Sequence, residues 1–524
     1  MSRVMRAAEA PLPEVELTVP EKLVGLLPVI SPIVLAVAII LARLEFGPNR
    51  FLNEGALTML ALVSYISAAV IMVTNLFVKE KSLRRLGVIT IALGYCFNLS
   101  GWMMRWIEAG DKEGWKAGIN GAWRYFPLDN LYALTLGFCC GAALTTLIIV
   151  RKPKYEFLGA LSMPILAVIL VLGVFLGNEI RTLQPVLDSY WRPIHVSIAT
   201  IGYGVCLVSF GLAFAYLLKD GVRSEAIAIA VGLFGLLVYG TVGGYGVVTA
   251  AEYGPTVAFQ NIPLPVRAAL PGVGPFSLGH LMALTGILVF ASVALFTLYW
   301  LKSDEKARRW GWNLFKSALV LQAVVLAVLF YQIKNVNNLG SKIPQRQYAA
   351  FGGWLNEKMN DQVPPDKHEE LSSTWIKEKG SEFTVSVNSN PVELGGLVAL
   401  FVALLMVTIF SWKRTEVDKA LPPLQTIDSL LYRTVGVAFP LLSMLLITGA
   451  VWANESWGRY WGWDSKETGA LVAWMAYAGF LHTRIAHGWR GRRSAYFALL
   501  GFALVVFTWL GVSFLLPGLH SYAE

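Results

Sequence analysis

Long apolar segments alternate with short polar connections along the whole of this 524-residue chain. A helix of about 20 apolar residues crosses the roughly 30 Å hydrocarbon core of a bilayer. The pattern predicts about thirteen spans, at residues 24–43, 57–78, 86–106, 131–150, 157–177, 195–218, 226–250, 280–301, 311–332, 393–411, 433–452, 467–486 and 496–516. The expected fold is therefore all-α, a polytopic integral membrane helical bundle.

Composition agrees with a membrane protein and argues against a soluble enzyme. Mean hydropathy is +0.57, 56% of the residues are hydrophobic and only 15% are charged. The net charge of +9 comes from short Lys and Arg clusters between apolar segments, so nucleic-acid binding is discounted. The four Cys lie in apolar runs without CxxC or CxxCH spacing, which argues against a disulfide framework or a covalent cofactor site.

The basic clusters predict the orientation of the chain. If all thirteen spans are real, six clusters fall on one side, at residues 79–85, 151–154, 219–223, 302–309, 412–419 and 487–493. Cytoplasmic loops carry an excess of Lys and Arg, so that side is expected to be cytoplasmic. The longest loop on the other side, 333–392, contains charged, helix-like sequence. It predicts a small extracytoplasmic subdomain.

One outer connection, Trp452 to Glu467, is unusually rich in tryptophan. It reads WANESWGRYWGWDSKE, with four of the chain's 18 Trp at 452, 457, 461 and 463. Trp is enriched at membrane interfaces without any ligand, so an interfacial belt is one interpretation. The other is a binding platform, because Trp457, Trp461 and Asp464 have the i, i+4, i+7 spacing of one helix face. Asp464 and Glu467 also have the spacing of a helix N-cap and N3 pair.

The six histidines differ in their predicted depth. His195 and His520 lie at the outer surface, and His482 lies about 22 Å along the twelfth span, inside the hydrocarbon. His280, His368 and His487 are best explained as interfacial or loop residues, and that interpretation remains open for the first three as well. Two outer His beside aromatic planes suit an iron porphyrin, whose iron takes one axial ligand on each face. Zinc is disfavoured, since no His or Cys cluster has zinc-like spacing.

Several motifs together resemble a known family. GAVWANESWGRYWGWDSKET, LHTR, GWRGRR, FTWLGVSFLLPGLHSY, WRPIHVS, MMRWIEAG and FPLDNLY are similar to the CcsA (ResC) proteins of system II cytochrome c biogenesis, which have a haem-handling WWD segment. The resemblance covers residues 86–218 and 427–523. Ser465 and Gly469 stand where the family usually has Pro and Trp. Residues 219–426 have no recognised counterpart.

The resemblance implies a domain division and roles for particular residues. The expected parts are N-terminal spans (1–85), a first core part (86–218), an insertion of about four spans with the outer subdomain (219–426), and a second core part (427–524). His195 and His520 would be the axial ligands of haem iron, and His482 a transmembrane haem ligand. The remaining expected haem contacts are Trp452, Trp457, Trp461, Trp463, Asp464 and Glu467, with Asp464 also counted beside the two outer His in the catalytic group.

The implied activity is presentation of haem b outside the cytoplasm for thioether attachment to CxxCH of apocytochrome c, a holocytochrome c synthase-type reaction. The implied partners are a CcsB (ResB)-like membrane protein, apocytochrome c and thiol-reducing pathway proteins. The expected location is the bacterial cytoplasmic membrane, with a plastid thylakoid as the less favoured choice. A haem exporter without ligation activity and a b-haem subunit of a respiratory complex remain alternatives.

Overall fold

A computed structural model describes residues 24–115, 123–180, 188–243, 247, 250–359 and 363–516 of the chain. The first half contains helices α1 Leu27–Phe46, α2 Glu54–Val78, α3 Lys81–Glu113, α4 Leu131–Val150, α5 Phe157–Leu176, α6 Trp191–Lys219 and α7 Ser224–Val242. The second half contains α8 Leu278–Lys302, α9 Glu305–Asn335, α10 Tyr348–Met359, α11 His368–Lys379, α12 Pro391–Trp412, α13 Arg414–Ala420, α14 Leu424–Trp457, α15 Ser465–His487, α16 Arg492–Val506 and α17 Val512–Leu515. Strands β1 Thr256–Phe259, β2 Ile262–Arg267 and β3 Thr384–Val385 complete the described elements.

The helices confirm the all-α membrane fold. In the described ranges, twelve helical segments are long and apolar enough to cross a membrane, the last being Arg492–Phe514. The predicted span 467–486 corresponds to α15, which is not among these twelve. Nevertheless α15 runs antiparallel to α14 over most of its length, because Arg484 near its end forms a two-pronged ion pair of 2.6 and 2.9 Å with Asp428 near the start of α14. Composition alone thus assigns twelve of the roughly thirteen predicted spans to the membrane, and α15 lies at the position of the remaining one.

The six basic clusters gather at one end of the bundle, here called the basic end. Ion pairs or hydrogen bonds link each cluster to a neighbouring cluster or to a residue beside it: Arg84 to the Arg151 carbonyl, Lys79 to the Lys419 carbonyl, Lys219 to Asp418, Arg308 to Glu225 and Arg492 to Asp220. The shared side that the sequence predicts is thus present in the structure. The opposite end, which carries the Trp452–Glu467 connection, is here called the tryptophan end.

Helix α6 occupies a central place and carries His195. It packs against α4, α14 and α16. Glycines allow the closest of these crossings: a Cβ at Gly204 would lie 2.3 Å from the backbone N of Ala142, and one at Gly141 would lie 2.9 Å from the Cα of Ile201. Small residues permit such backbone approach between membrane helices. This crossing fixes α6, and with it His195, against α4.

Buried apolar residues form two large clusters. One joins α2 to α6 with α14 to α16, and the other joins α7 to α9 with α12 and the segments between them. Helix α12 contacts α5 and so connects the two clusters. The predicted domain boundaries at 219 and 426 stay a prediction.

The loop subdomain at the tryptophan end contains more of the chain than the sequence indicates. Helices α10 and α11 come from the expected loop 333–392, but they are joined by a three-stranded antiparallel sheet of order β2-β1-β3. Two of those strands belong to the preceding loop, 251–279. Arg267 at the end of β2 forms hydrogen bonds of 2.7 and 3.0 Å with Glu393 in the first turn of α12, which ties the sheet to a membrane helix.

Candidate haem-binding site

The tryptophan segment, residues 452–467, is a helix end, a loop and a helix start. Helix α14 ends at Trp457 because Gly458 adopts a left-handed conformation (φ 70°, ψ 16°), with its N–H donating to the Asn454 carbonyl. Residues 458–464 are not helical, and Trp463 has a positive φ of 58°. The expected helix face of Trp457, Trp461 and Asp464 is therefore wrong, since Gly458 interrupts the helix between the first two.

The alternative role of Asp464 and Glu467 as a helix cap is confirmed. Asp464 is the N-cap of α15 and Glu467 its N3 residue, and the two form a reciprocal capping box. The Glu467 carboxylate accepts from the backbone N of Asp464 at 3.2 Å and also from that of Gly462 at 2.8 Å. Glu467 therefore fixes the loop that presents Trp461.

A cavity with about 1140 Å³ of empty space lies behind this loop. Its walls come from α6, from the second half of α14, from the start of α15, from residues 128–138 and from Thr508 and Trp509. Of the residues expected from the sequence, it is lined by His195, Trp452, Trp457, Trp461 and Glu467. This space includes open solvent, and its walls combine apolar and aromatic side chains with His195.

The His195 imidazole is held in a defined orientation. Its Nδ1 lies 3.1 Å from the Leu445 carbonyl oxygen and 3.3 Å from the Thr448 hydroxyl, both on α14. A carbonyl oxygen only accepts, so a hydrogen bond to Leu445 requires a proton on Nδ1. A backbone carbonyl fixes the tautomer of metal-binding histidines in the same way.

Tryptophans cover His195 on the α14 side. Trp452 is buried, and its ring centroid lies 5.6 Å from that of His195 and 5.8 Å from that of Trp457. Trp461 packs edge-on against Trp463, at 5.8 Å. Trp463 itself is 71% exposed and does not line the cavity, and Asp464 caps α15 without lining it. Three of the four tryptophans therefore form the aromatic wall.

The other expected histidines lie elsewhere. His520 is outside the described residues. His482 is exposed near the end of α15, toward the basic end, where its ring centroid lies 5.5 Å from that of His487. The structure therefore does not bring His482 to the cavity. His280 caps α8 together with Ser277, and His368 contacts the Val363 carbonyl at 3.2 Å.

Sequence reasoning missed three charged residues of the cavity wall: Asp129, Arg192 and Lys466. Asp129 pairs with the buried Arg105 at 3.3 Å. Arg192 is buried and donates to the carbonyls of Arg124 and Phe126, at 2.8 and 3.4 Å. A signal was present, since Arg192 stands three residues before His195 and so shares its helix face.

Lys466 is partly buried in the first turn of α15. Burial lowers the pKa of its ammonium to about 8. The nearby Asp464 carboxylate has the opposite, smaller effect of raising that pKa. The signal for Lys466 in the sequence was a lysine between the acidic residues Asp464 and Glu467 in the tryptophan segment.

Comparison with known proteins covers the parts of the chain that form the cavity. The family described as cytochrome C assembly protein matches residues 128–234 and 391–520, which contain the whole cavity wall. The cytochrome c biogenesis protein CcsA of Guillardia theta is 58% identical over 99 residues, 19% of this chain and 33% of that protein. CcsA of Gloeobacter violaceus is 55% identical over 98 residues (19% and 29%), and CcsA of Synechococcus elongatus 55% over 97 (18% and 30%).

This chain thus spans about a third of the length of the curated relatives it matches. A solved structure named Cytochrome c Heme Lyase CcmF aligns with 90% of this chain and 72% of its own, at 14% identity and a TM-score of 0.27, too distant a likeness to support an argument. The two blocks matched by the family and the identity to CcsA proteins lead to one conclusion: these parts of the chain are similar to the cytochrome C assembly protein family, and in particular to CcsA.

Proposed function

We propose that this protein holds haem b in the cavity at the tryptophan end and presents it for thioether attachment to the CxxCH motif of apocytochrome c. The observation that carries the proposal is the His195 imidazole, held by Leu445 in the wall of a cavity lined by aromatic side chains. Histidine is the commonest axial ligand of haem iron, and aromatic side chains pack on the macrocycle.

The residues of the cavity supply position rather than reactive groups. In the attachment step a cysteine thiol adds across a haem vinyl group: a carbon–sulfur bond forms, and the thiol proton is transferred to the other vinyl carbon. Nothing leaves, so the protein contributes mainly by holding the two reactants in register. His195 would fix the iron, while Trp452, Trp457 and Trp461 would hold the ring plane and keep water out.

Two further histidines complete the proposal. His520 would be the second axial ligand of the bound haem, which the histidine of CxxCH displaces as the product forms. His482 would ligate haem within the membrane, before it reaches the cavity. Because His482 and His487 lie side by side near the basic end, this second site would be separate from the first.

The expected cellular setting follows from the same proposal. A CcsB (ResB)-like membrane protein would act with this chain, and thiol-reducing proteins would keep the apocytochrome cysteines reduced. If the basic end is cytoplasmic, the cavity opens outside the cytoplasm, across a bacterial inner membrane or, less favoured, a thylakoid membrane.

The decisive experiment reconstitutes the purified protein with a ResB-like partner, haem and an apocytochrome peptide containing CxxCH. We expect a product that keeps haem after denaturation. Trp461→Ala should lower both haem retention and product yield, whereas Trp463→Ala, outside the cavity, should change neither greatly. Haem retention without covalent product would favour a delivery or export role, and failure to retain haem would refute the proposal.

A further inference from the structure

Lys466 is placed where a cation is unfavourable for the protein alone. It is the second residue of α15, and the positive end of a helix dipole repels a cation there. Its position on the cavity wall also partly withdraws the ammonium from water, which is why the pKa falls. Both effects oppose the charged form, so a group that offsets them is expected in the working complex.

The rest of the described chain does not provide that group. Among the described residues, none accepts a hydrogen bond from the Lys466 ammonium or forms an ion pair with it within 4.0 Å. The Asp464 carboxylate, which raises the pKa of Lys466, accepts hydrogen bonds from backbone N–H groups as the cap of α15. The other carboxylates of the wall are engaged: Asp129 by Arg105, and Glu467 by the amides of Gly462 and Asp464.

The proposed ligand has the complementary chemistry. Haem is an apolar disc with iron at its centre and two propionate carboxylates on one edge. The cavity provides an aromatic wall and a histidine, and Lys466 provides a cation. We infer that Lys466 binds a propionate carboxylate of haem at the start of α15, an inference that rests on the proposed function.

This contact would determine how the ring is rotated within its plane. Ligation by His195 fixes the iron but leaves the ring able to turn about the iron–nitrogen bond, and the tryptophan faces do not distinguish one edge from another. A carboxylate held at Lys466 removes that freedom. Lys466 is thus a positioning residue, which decides where the vinyl edges lie relative to the incoming thiols.

The test compares two ligands on matched variants of the full-length protein. Haem and haem dimethyl ester, in which both propionates are esterified, are titrated into purified protein and followed by absorption and by tryptophan fluorescence. Lys466→Met keeps the length of the side chain but removes its charge, and Lys466→Arg keeps the charge. A charge-assisted hydrogen bond contributes about 1.5–3 kcal/mol, so Lys466→Met should weaken haem binding roughly tenfold to a hundredfold.

The ester is the control for structural damage. We expect wild type and Lys466→Met to bind it equally, and Lys466→Arg to restore most of the affinity for haem. If Lys466→Met lost the same affinity for both ligands, or lost affinity for neither, the inference would be overturned. His195→Ala distinguishes failure of this inference from failure of the proposed function. It should weaken the binding of both haem and its dimethyl ester, and if it weakens the binding of neither, the haem site itself is wrong.

Discussion

The ring of His195 fits against a position on α14 that has no side chain. A Cβ added at Gly449 would lie 2.8 Å from Cε1 of His195 and 3.2 Å from Nδ1. Contacts under 3.0 Å force something to move, and here the imidazole would have to tilt or break its hydrogen bond to Leu445. Gly449 thus determines the orientation of the proposed iron ligand.

Gly449→Ala should therefore impair haem binding while His195 is still present. We expect roughly tenfold weaker binding and an altered spectrum of the reduced haem protein, because overpacking typically costs about 1–3 kcal/mol. Gly436→Ala is the matched control on the same helix, since a Cβ there meets nothing within 4 Å. Equal spectra and affinities for both variants would mean that the orientation of His195 is unimportant.

Removing the imidazole altogether gives a second prediction. His195→Ala should leave an open coordination position on the iron, which added imidazole can occupy, so haem binding and part of the activity should return with imidazole. His520→Ala should behave in the same way if it supplies the other axial ligand. His368→Ala, in the loop subdomain, should resemble wild type. Absorption spectra of the reduced protein with and without imidazole provide the measurement.

At this scale the sequence identifies residue types better than contacts. It predicted His195 and the tryptophans because their chemistry is recognisable wherever they stand. The partners of His195 on α14 are about 250 residues away in the chain, and no local pattern connects them. Lys466 was missed for another reason: its unfavourable position is evident only once α15 and the cavity are placed.

Among the elements, the loop between α14 and α15 depends on one carboxylate. Glu467 accepts from two backbone N–H groups, one in the loop and one at the N-cap. The sequence predicted this cap correctly, because a capping box is a local pattern. It predicted the loop wrongly as a helix face, because the left-handed residue Gly458 outweighs the i, i+4 spacing of Trp457 and Trp461.

Glu467→Ala should loosen the loop and lower haem retention. Loss of a cap costs about 0.5–2 kcal/mol, so we expect faster hydrogen exchange of the amides at 458–467 and several-fold weaker haem binding. Glu455→Ala is a suitable control, because Glu455 is exposed in the last turn of α14. Unchanged exchange in Glu467→Ala would show that the tryptophans themselves hold the loop.

For the whole molecule, helix positions followed from hydropathy, but the small sheet did not. Its strands have four, six and two residues, and β1 pairs with β3 across more than 120 residues, so no periodic signal marks them.

Helix α15 is the opposite case, because its position was predicted although its composition is less apolar. It lies at the predicted place because its apolar stretch is continuous, yet the polar residues that anchor it, such as Arg484, reduce its apolar character below that of the other crossing helices.

Orientation is the last property that the charges predict. All six basic clusters meet at one end, so the positive-inside rule gives a single answer for the whole chain. Reporter tags at residues 305 and 490 should be cytoplasmic, and tags at 360 and after 524 external.

The tag at 490 is the sharpest of these, because it follows α15, the helix that composition alone would not assign to the membrane. An external tag at 490 would mean that α15 does not cross, despite the pairing of Arg484 with Asp428. A cytoplasmic tag at 360 would place the loop subdomain on the wrong side. Because Gly177 at the end of α5 packs against Asn388 beside that subdomain, the end of α5 would then have to lie on the cytoplasmic side as well.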